Sequence, residues 1–322
     1  MQIFRCPSCD RRVYFHNVSC DCGQQLTFDP TEQVMRKDRP FCANRDEIGC
    51  NWTGEFDGLC RSCNMTEVLP DLREADNLPL WARTEGAKRW VLANVARWGW
   101  FQPSDPGDRP KFRLLSEQTF TGEEAVTMGH ADGVITINVT EASDPVLAQR
   151  QDELGELYRT MIGHFRHELS HFLQLRLSAD EKFLAGFREL FGDEREDYGA
   201  ALQRHYQNPK PGDETHITSY ATAHPHEDWA ETIAHLLHLV DMLDSAASAR
   251  LALPEGPREG YDAYADADTE GLVSQAVAMS MAVNHVNRAL DLPDLYPFVL
   301  TNGVRHKMAF AHAHLREGAG RG

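Results

Sequence analysis

The sequence predicts an α+β protein: a short N-terminal segment built around two four-cysteine metal sites, then a mostly helical domain with one small sheet. Three observations predict it. All eight cysteines fall within the first 63 residues. Beyond them, apolar residues recur mainly at helical spacing, with one β-branched run, Val134-Ile135-Thr136-Ile137. The 322 residues, 42% hydrophobic and 25% charged, suffice for one sizeable domain plus a small one.

The first four cysteines come as two tight pairs separated by a loop, and the last four form a second set. Cys6-x2-Cys9 is followed by Cys20-x-Cys22, and Cys42 and Cys50 by Cys60-x2-Cys63. Four thiolates close a tetrahedral zinc site and leave no open position for substrate. So short a segment buries little core, and bound metal supplies much of its folding energy. Residues 1–66 are therefore read as a double zinc ribbon, with disulfides as the alternative. The second set has the looser spacing. The segment holds eight Lys/Arg and nine Asp/Glu, a net charge of −1. That weakens nucleic-acid binding, the usual alternative use of such ribbons.

Residues 67–78 read as a polar connector, and 79–317 as the second domain. Trp81, Trp90, Val91, Val95, Trp98 and Trp100 mark an aromatic-rich core helix. Pro103–Arg109 is a loop. Residues 133–140 read as a strand, either an ordinary sheet member or one that pairs with an extended peptide. A helix from about 151 to 177 shows an apolar stripe of Leu154, Leu157, Tyr158, Met161, Phe165, Leu169 and Phe172. Residues 192–214 are polar. Further helices begin near His224-Pro225, cover about 271–290, and follow Tyr296–Leu300.

The helix from about 151 to 177 carries His167-Glu168-Leu169-Ser170-His171, with His167 and His171 on the face opposite Phe165. With this composition, the HExxH pattern arises by chance only roughly once in twenty such chains. Residues i and i+4 of a helix stand one above the other, so both imidazoles reach one ion. Glu168 is then placed to act on water at that ion. A third ligand is required. A metzincin would carry histidine at position 177, which is Leu177. A carboxylate from another helix is the default. Glu227 and Glu231 share a face beside the small residues Ala230 and Ala234. Glu227 is the first choice as ligand and Glu231 the second; whichever is not the ligand can orient a ligand histidine. Tyr220 is either a core residue or an oxyanion donor. His164 shares the face of His167 and is either site-lining or structural.

The net charge of −17 and mean hydropathy of −0.48 argue against nucleic acid and anionic membrane surfaces as partners. No signal peptide precedes Cys6 and no apolar run is long enough to span a bilayer, so a cytoplasmic location is expected.

Four runs resemble the bacterial zinc-binding metallopeptidases that carry an N-terminal zinc ribbon: Gly163–His171, Leu190–Arg195, Ala223–Thr232 and Leu292–Leu300. The resemblance spans nearly the whole chain. It implies a zincin-like metallopeptidase of gluzincin type acting on peptides or proteins, with one catalytic and two structural zinc ions. The site alone is also similar to lethal-factor-type zinc proteases, which carry a tyrosine seven residues before a zinc-binding glutamate. Tyr220, Glu227, Ala230 and Glu231 match that pattern; Ser170 departs from it, standing where glycine is common. This likeness implies Tyr220 as oxyanion donor. The rival reading is a non-catalytic adaptor whose ribbons dock a protein partner and whose HExxH zinc is structural.

Overall fold

The computed structural model describes residues 1–154 and 159–318. Leu157 and Tyr158 of the expected stripe lie outside the described residues. The chain forms two compact units, Met1–Phe172 and Leu173–Arg321, and their boundary falls inside one helix.

The first unit begins with two small hairpins, β1 (Phe4–Arg5) with β2 (Arg12–Val13) and β3 (Thr27–Asp29) with β4 (Val34–Arg36), and two short helices, α1 (Arg45–Ile48) and α2 (Arg61–Asn64). Strands of two or three residues bury too little to stand alone. Phe4, Phe15 and Phe28 pack edge-on, and Phe15 continues onto Trp90 of α3 (Asn77–Ala96). The ribbon segment is therefore packed on α3. The expected connector opens with a strand instead: β5 (Thr66–Val68) joins the main sheet directly.

That sheet has the order β5-β6-β10-β9, with β6 at Lys111–Leu115, β9 at Gly129–Ala131 and β10 at Val134–Asn138. A two-residue hairpin, β7 (Gln118–Thr119) and β8 (Gly122–Glu123), lies in the connection. β10 pairs in parallel with β6 and antiparallel with β9. Both its edges are used, so it is a plain interior strand; β9 holds the edge. It stops at Asn138, whose side chain caps a 3₁₀ turn over Val139–Ala142. Helix α4 (Asp144–Leu154) follows.

The HExxH helix, α5, runs Met161–Leu177 and so starts later than its sequence pattern suggests. Thr160 is the reason: its hydroxyl accepts from Gly163 N at 2.9 Å, capping a donor that has no partner within the helix. Phe165, Leu169 and Phe172 of the stripe are buried, Phe165 against Phe112 of β6 and Phe172 against Phe101. Packing that stripe on the sheet fixes the rotation of α5.

The second unit holds α6 (Glu181–Phe191), α7 (Tyr198–Gln207), a 3₁₀ turn at Tyr220–Thr222, α8 (Pro225–Ser248), α9 (Thr269–Ala289) and α10 (Asn302–Glu317). Helix α7 lies within the stretch read only as polar. Ala201 is its one buried residue, so it leaves almost no apolar pattern. Trp229 of α8 is enclosed by Phe183, Phe187, Phe191 and Phe310, ring centroids 5.2–6.4 Å away. This aromatic nest seats the first turns of α8 against α6 and α10.

Candidate metal centre

The eight cysteines are free thiols in two groups. In the first, Cys6 and Cys22 sulfurs lie 3.8 Å apart and those of Cys9 and Cys20 3.6 Å. In the second, Cys50 lies 3.6 Å from Cys60 and 3.8 Å from Cys63. Sulfurs at about 2.3 Å from a tetrahedral zinc stand about 3.8 Å apart, so both sets fit the ion. Backbone amides support the thiolates: Cys60 N donates to Cys42 Sγ, and Cys63 N to Cys60 Sγ. The second set is fully buried, whereas Cys22 of the first is exposed. Charge accompanies that burial. Helix α3 brings Lys88 and Arg89, 0% and 2% exposed, against the single buried carboxylate of Glu85. Burial alone would lower the Arg89 pKa, but Cys50, Glu85, Cys63 and Cys60 carry it above its ordinary value. A four-thiolate zinc site is a dianion, and these cations offset it.

On α5, the Nε2 atoms of His167 and His171 are 3.2 Å apart. Two nitrogens bound at about 2.0–2.1 Å to a tetrahedral ion stand about 3.3 Å apart, so the pair is already spaced for one metal. Both imidazoles are half-buried. The His171 ring stacks on His130 of the edge strand β9 at 6.3 Å. Glu168 is 9% exposed, and its Oε2 is buried with no hydrogen-bond partner among the described residues. Ser170 satisfies its hydroxyl on Arg166 O, so it fits where glycine is common. His164 is engaged elsewhere: its Nε2 lies 2.8 Å from Glu141 Oε2, in a cluster with Arg150 and Arg159. Burial opposes the charge on Glu141, but His164 and Arg159 hold it well below the usual carboxylate range.

In the second unit, His224 caps α8: its Nδ1 accepts from His226 N at 3.1 Å, and Pro225 fills the first helical position. Glu227 follows, 1% exposed, its Oε1 accepting from Tyr198 Oη at 2.7 Å. His226 Nδ1 meets Gln174 Oε1 at 2.8 Å, which ties the last turns of α5 to the first turn of α8. Glu231 Oε2 accepts from Thr218 Oγ1 at 2.8 Å. Burial raises the Tyr220 hydroxyl pKa, and the neighbouring Glu227 carboxylate and Tyr198 phenol raise it further. Asp228 turns toward Lys307, and burial pushes its carboxyl up to about 6. His235 and His238 pack on Tyr296 in the helical core. His167 and His171 belong to the first unit and Glu227 to the second. Tyr198 escaped the sequence reading. It stands 29 residues before Glu227, where no spacing rule points to it.

Among the described residues, no helix is long and apolar enough to cross a membrane. Residues 3–74 match the model of a zinc-ribbon domain. Residues 77–314 match the model of the family described as "Putative zinc-binding metallo-peptidase". Proteins of Mycobacterium bovis and Mycobacterium tuberculosis, each named "Uncharacterized protein", are 38% identical over 332 aligned positions, covering 98% of this chain and 96% of theirs. No solved structure matches. With both zinc-compatible cysteine sets and the closely spaced imidazole pair in place, the chain belongs to this zinc-binding metallopeptidase family and carries a zinc ribbon ahead of its helical domain.

Proposed function

We propose that this chain is a gluzincin-type zinc peptidase that hydrolyses peptide bonds at His167, His171 and Glu227, with two further zinc ions in the cysteine sets. The observation that carries the reading is the imidazole pair, 3.2 Å apart on one helix. Two neutral donors and one carboxylate make a donor set of catalytic type, which leaves one position open; the cysteine sets leave none. When bound there, zinc lowers the pKa of a water to about 7 and polarises the substrate carbonyl.

The chain's own groups do the rest. Glu168 accepts the proton of the attacking water and returns it to the leaving amine; its unpartnered Oε2 is available for both transfers. Tyr220, its proton held firmly by burial beside Glu227, donates to the oxyanion of the tetrahedral intermediate. Glu231, fixed by Thr218, orients a ligand histidine. The substrate is a peptide or protein, and the cytoplasm is its place of action on the same reading.

Glu168→Gln tests this. It keeps the volume of the side chain and removes the base. The variant should retain three zinc ions per chain while peptide hydrolysis falls at least about 10²-fold. Undiminished hydrolysis would overturn the mechanism. Two zinc ions per wild-type chain, with no peptide cleavage, would favour the adaptor reading.

A further inference from the structure

We infer that Tyr198 is a positioning residue for the Glu227 carboxylate: its phenol occupies one carboxylate oxygen so that the other alone is presented to the metal. The inference rests on the proposed role of Glu227.

A carboxylate as buried as Glu227 loses its hydration, and that loss is tolerated only if hydrogen bonds replace it. The Tyr198 Oη–Glu227 Oε1 separation of 2.7 Å is in the range of a hydroxyl donating to an ionised carboxylate. A phenol can donate only one proton. It therefore engages a single oxygen of the carboxylate, Oε1.

The tyrosine is itself held by the loop that launches α8. Asp197 caps α7, its carboxylate accepting from Ala200 N at 2.9 Å, which fixes Tyr198 at the first helical position. The Tyr198 ring meets the His224 ring edge-on at 5.2 Å. His224 in turn has a defined tautomer. Its Nδ1 accepts from His226 N, so its Nε2 carries the proton and donates to Glu196 O at 3.2 Å. Residues 196–198 and 224–227 thus close on each other, and the phenol reaches Glu227 from a fixed origin.

The consequence is chemical. A glutamate held by one oxygen occupies one coordination position and leaves the fourth for water and substrate. Released, the carboxylate can turn and bind through both oxygens, which crowds that position. Tyr198 is 42% exposed, so its ring is not part of the core, and Tyr198→Phe removes the hydroxyl without opening a cavity. Its task differs from that of Tyr220, which acts on the substrate.

The test is Tyr198→Phe in the full-length, zinc-loaded chain, with chelator competition read as zinc per chain. The most readily removed zinc should bind about 10–100-fold more weakly, the usual loss when a group supporting a metal ligand is removed. The two cysteine-bound zinc ions should be unaffected, which also reports that the variant is folded. Cobalt(II) placed in the labile site alone should show weaker visible absorption in the variant, as expected for a rise in coordination number. Equal affinity with an unchanged cobalt spectrum would overturn the inference. So would weakening at all three sites, which marks a fold defect. A wild-type chain holding only two zinc ions would instead defeat the proposed peptidase site itself.

Discussion

Replacing Cys60 by serine should unfold much of the first unit, not merely empty one zinc site. Cys60 is 0% exposed, and its sulfur sits 3.6 Å from that of Cys50. In the metal-bound set, four thiolates and one Zn²⁺ carry a net charge of −2. Lys88, Arg89 and Glu85 beside it sum to +1. Without the ion the thiols protonate, and the α3 group is left as an uncompensated buried cation. Such a charge costs several kcal/mol. Structural zinc binding itself is worth about 10–16 kcal/mol near neutral pH. A typical domain has only about 5–15 kcal/mol in total, so the loss exceeds what the unit can hold. Trp52, Trp81, Trp98 and Trp100 are all buried there and serve as reporters. Cys60→Ser should lose one zinc ion per chain relative to the wild type, shift tryptophan emission to the red and broaden or abolish the first thermal transition. Cys22→Ser, at the exposed edge of the first set, should lose its zinc with a smaller spectral change. If Cys60→Ser loses one zinc and keeps native emission and melting, the coupling between the buried set and α3 is refuted.

Two further outcomes come from the helical unit. Gly186 lies inside α6, where alanine would raise helix propensity by about 1 kcal/mol. Yet a Cβ there would sit 2.6 Å from Phe310 Cε2, and that ring is packed by Phe183, Phe191 and Trp229. Overpacking costs about 1–3 kcal/mol, so Gly186→Ala should lower the melting temperature; a rise would show that Phe310 yields freely. His312 is buried with its Nδ1 2.9 Å from Thr269 Oγ1, and burial, helped by Arg316, lowers its pKa to about 4. The folded pKa lies below the unfolded one, near 6.5. The neutral ring's contribution is therefore complete above pH 6.5 and is lost as pH falls through 4. The shift amounts to about 3 kcal/mol. Urea unfolding at pH 7, 5.5 and 4.5 should show His312→Gln losing less stability on acidification than the wild type; parallel losses would rule the contribution out.

The sequence by itself determined the features that depend on short-range spacing. Two histidines four apart on an amphipathic helix must share a face, and that is how α5 carries His167 and His171. Cysteines two or three positions apart can reach a common centre, as Cys6/Cys9, Cys20/Cys22 and Cys60/Cys63 do, whereas Cys42 and Cys50 are brought in by the fold. Glu227 stood out in the sequence because it opens a helix beside small residues, and it does lie in the first turn of α8. Tertiary structure alone decided the rest. β10 became an interior strand because β9 folds back along its free edge. His164 was paired with Glu141, 23 residues earlier. Lys88 and Arg89 were set against the second cysteine set, and Tyr198 against Glu227, by the packing of whole helices. Backbone geometry repeats over three or four residues and leaves its period in the sequence. Contacts made when elements pack have no period, so nothing local records them.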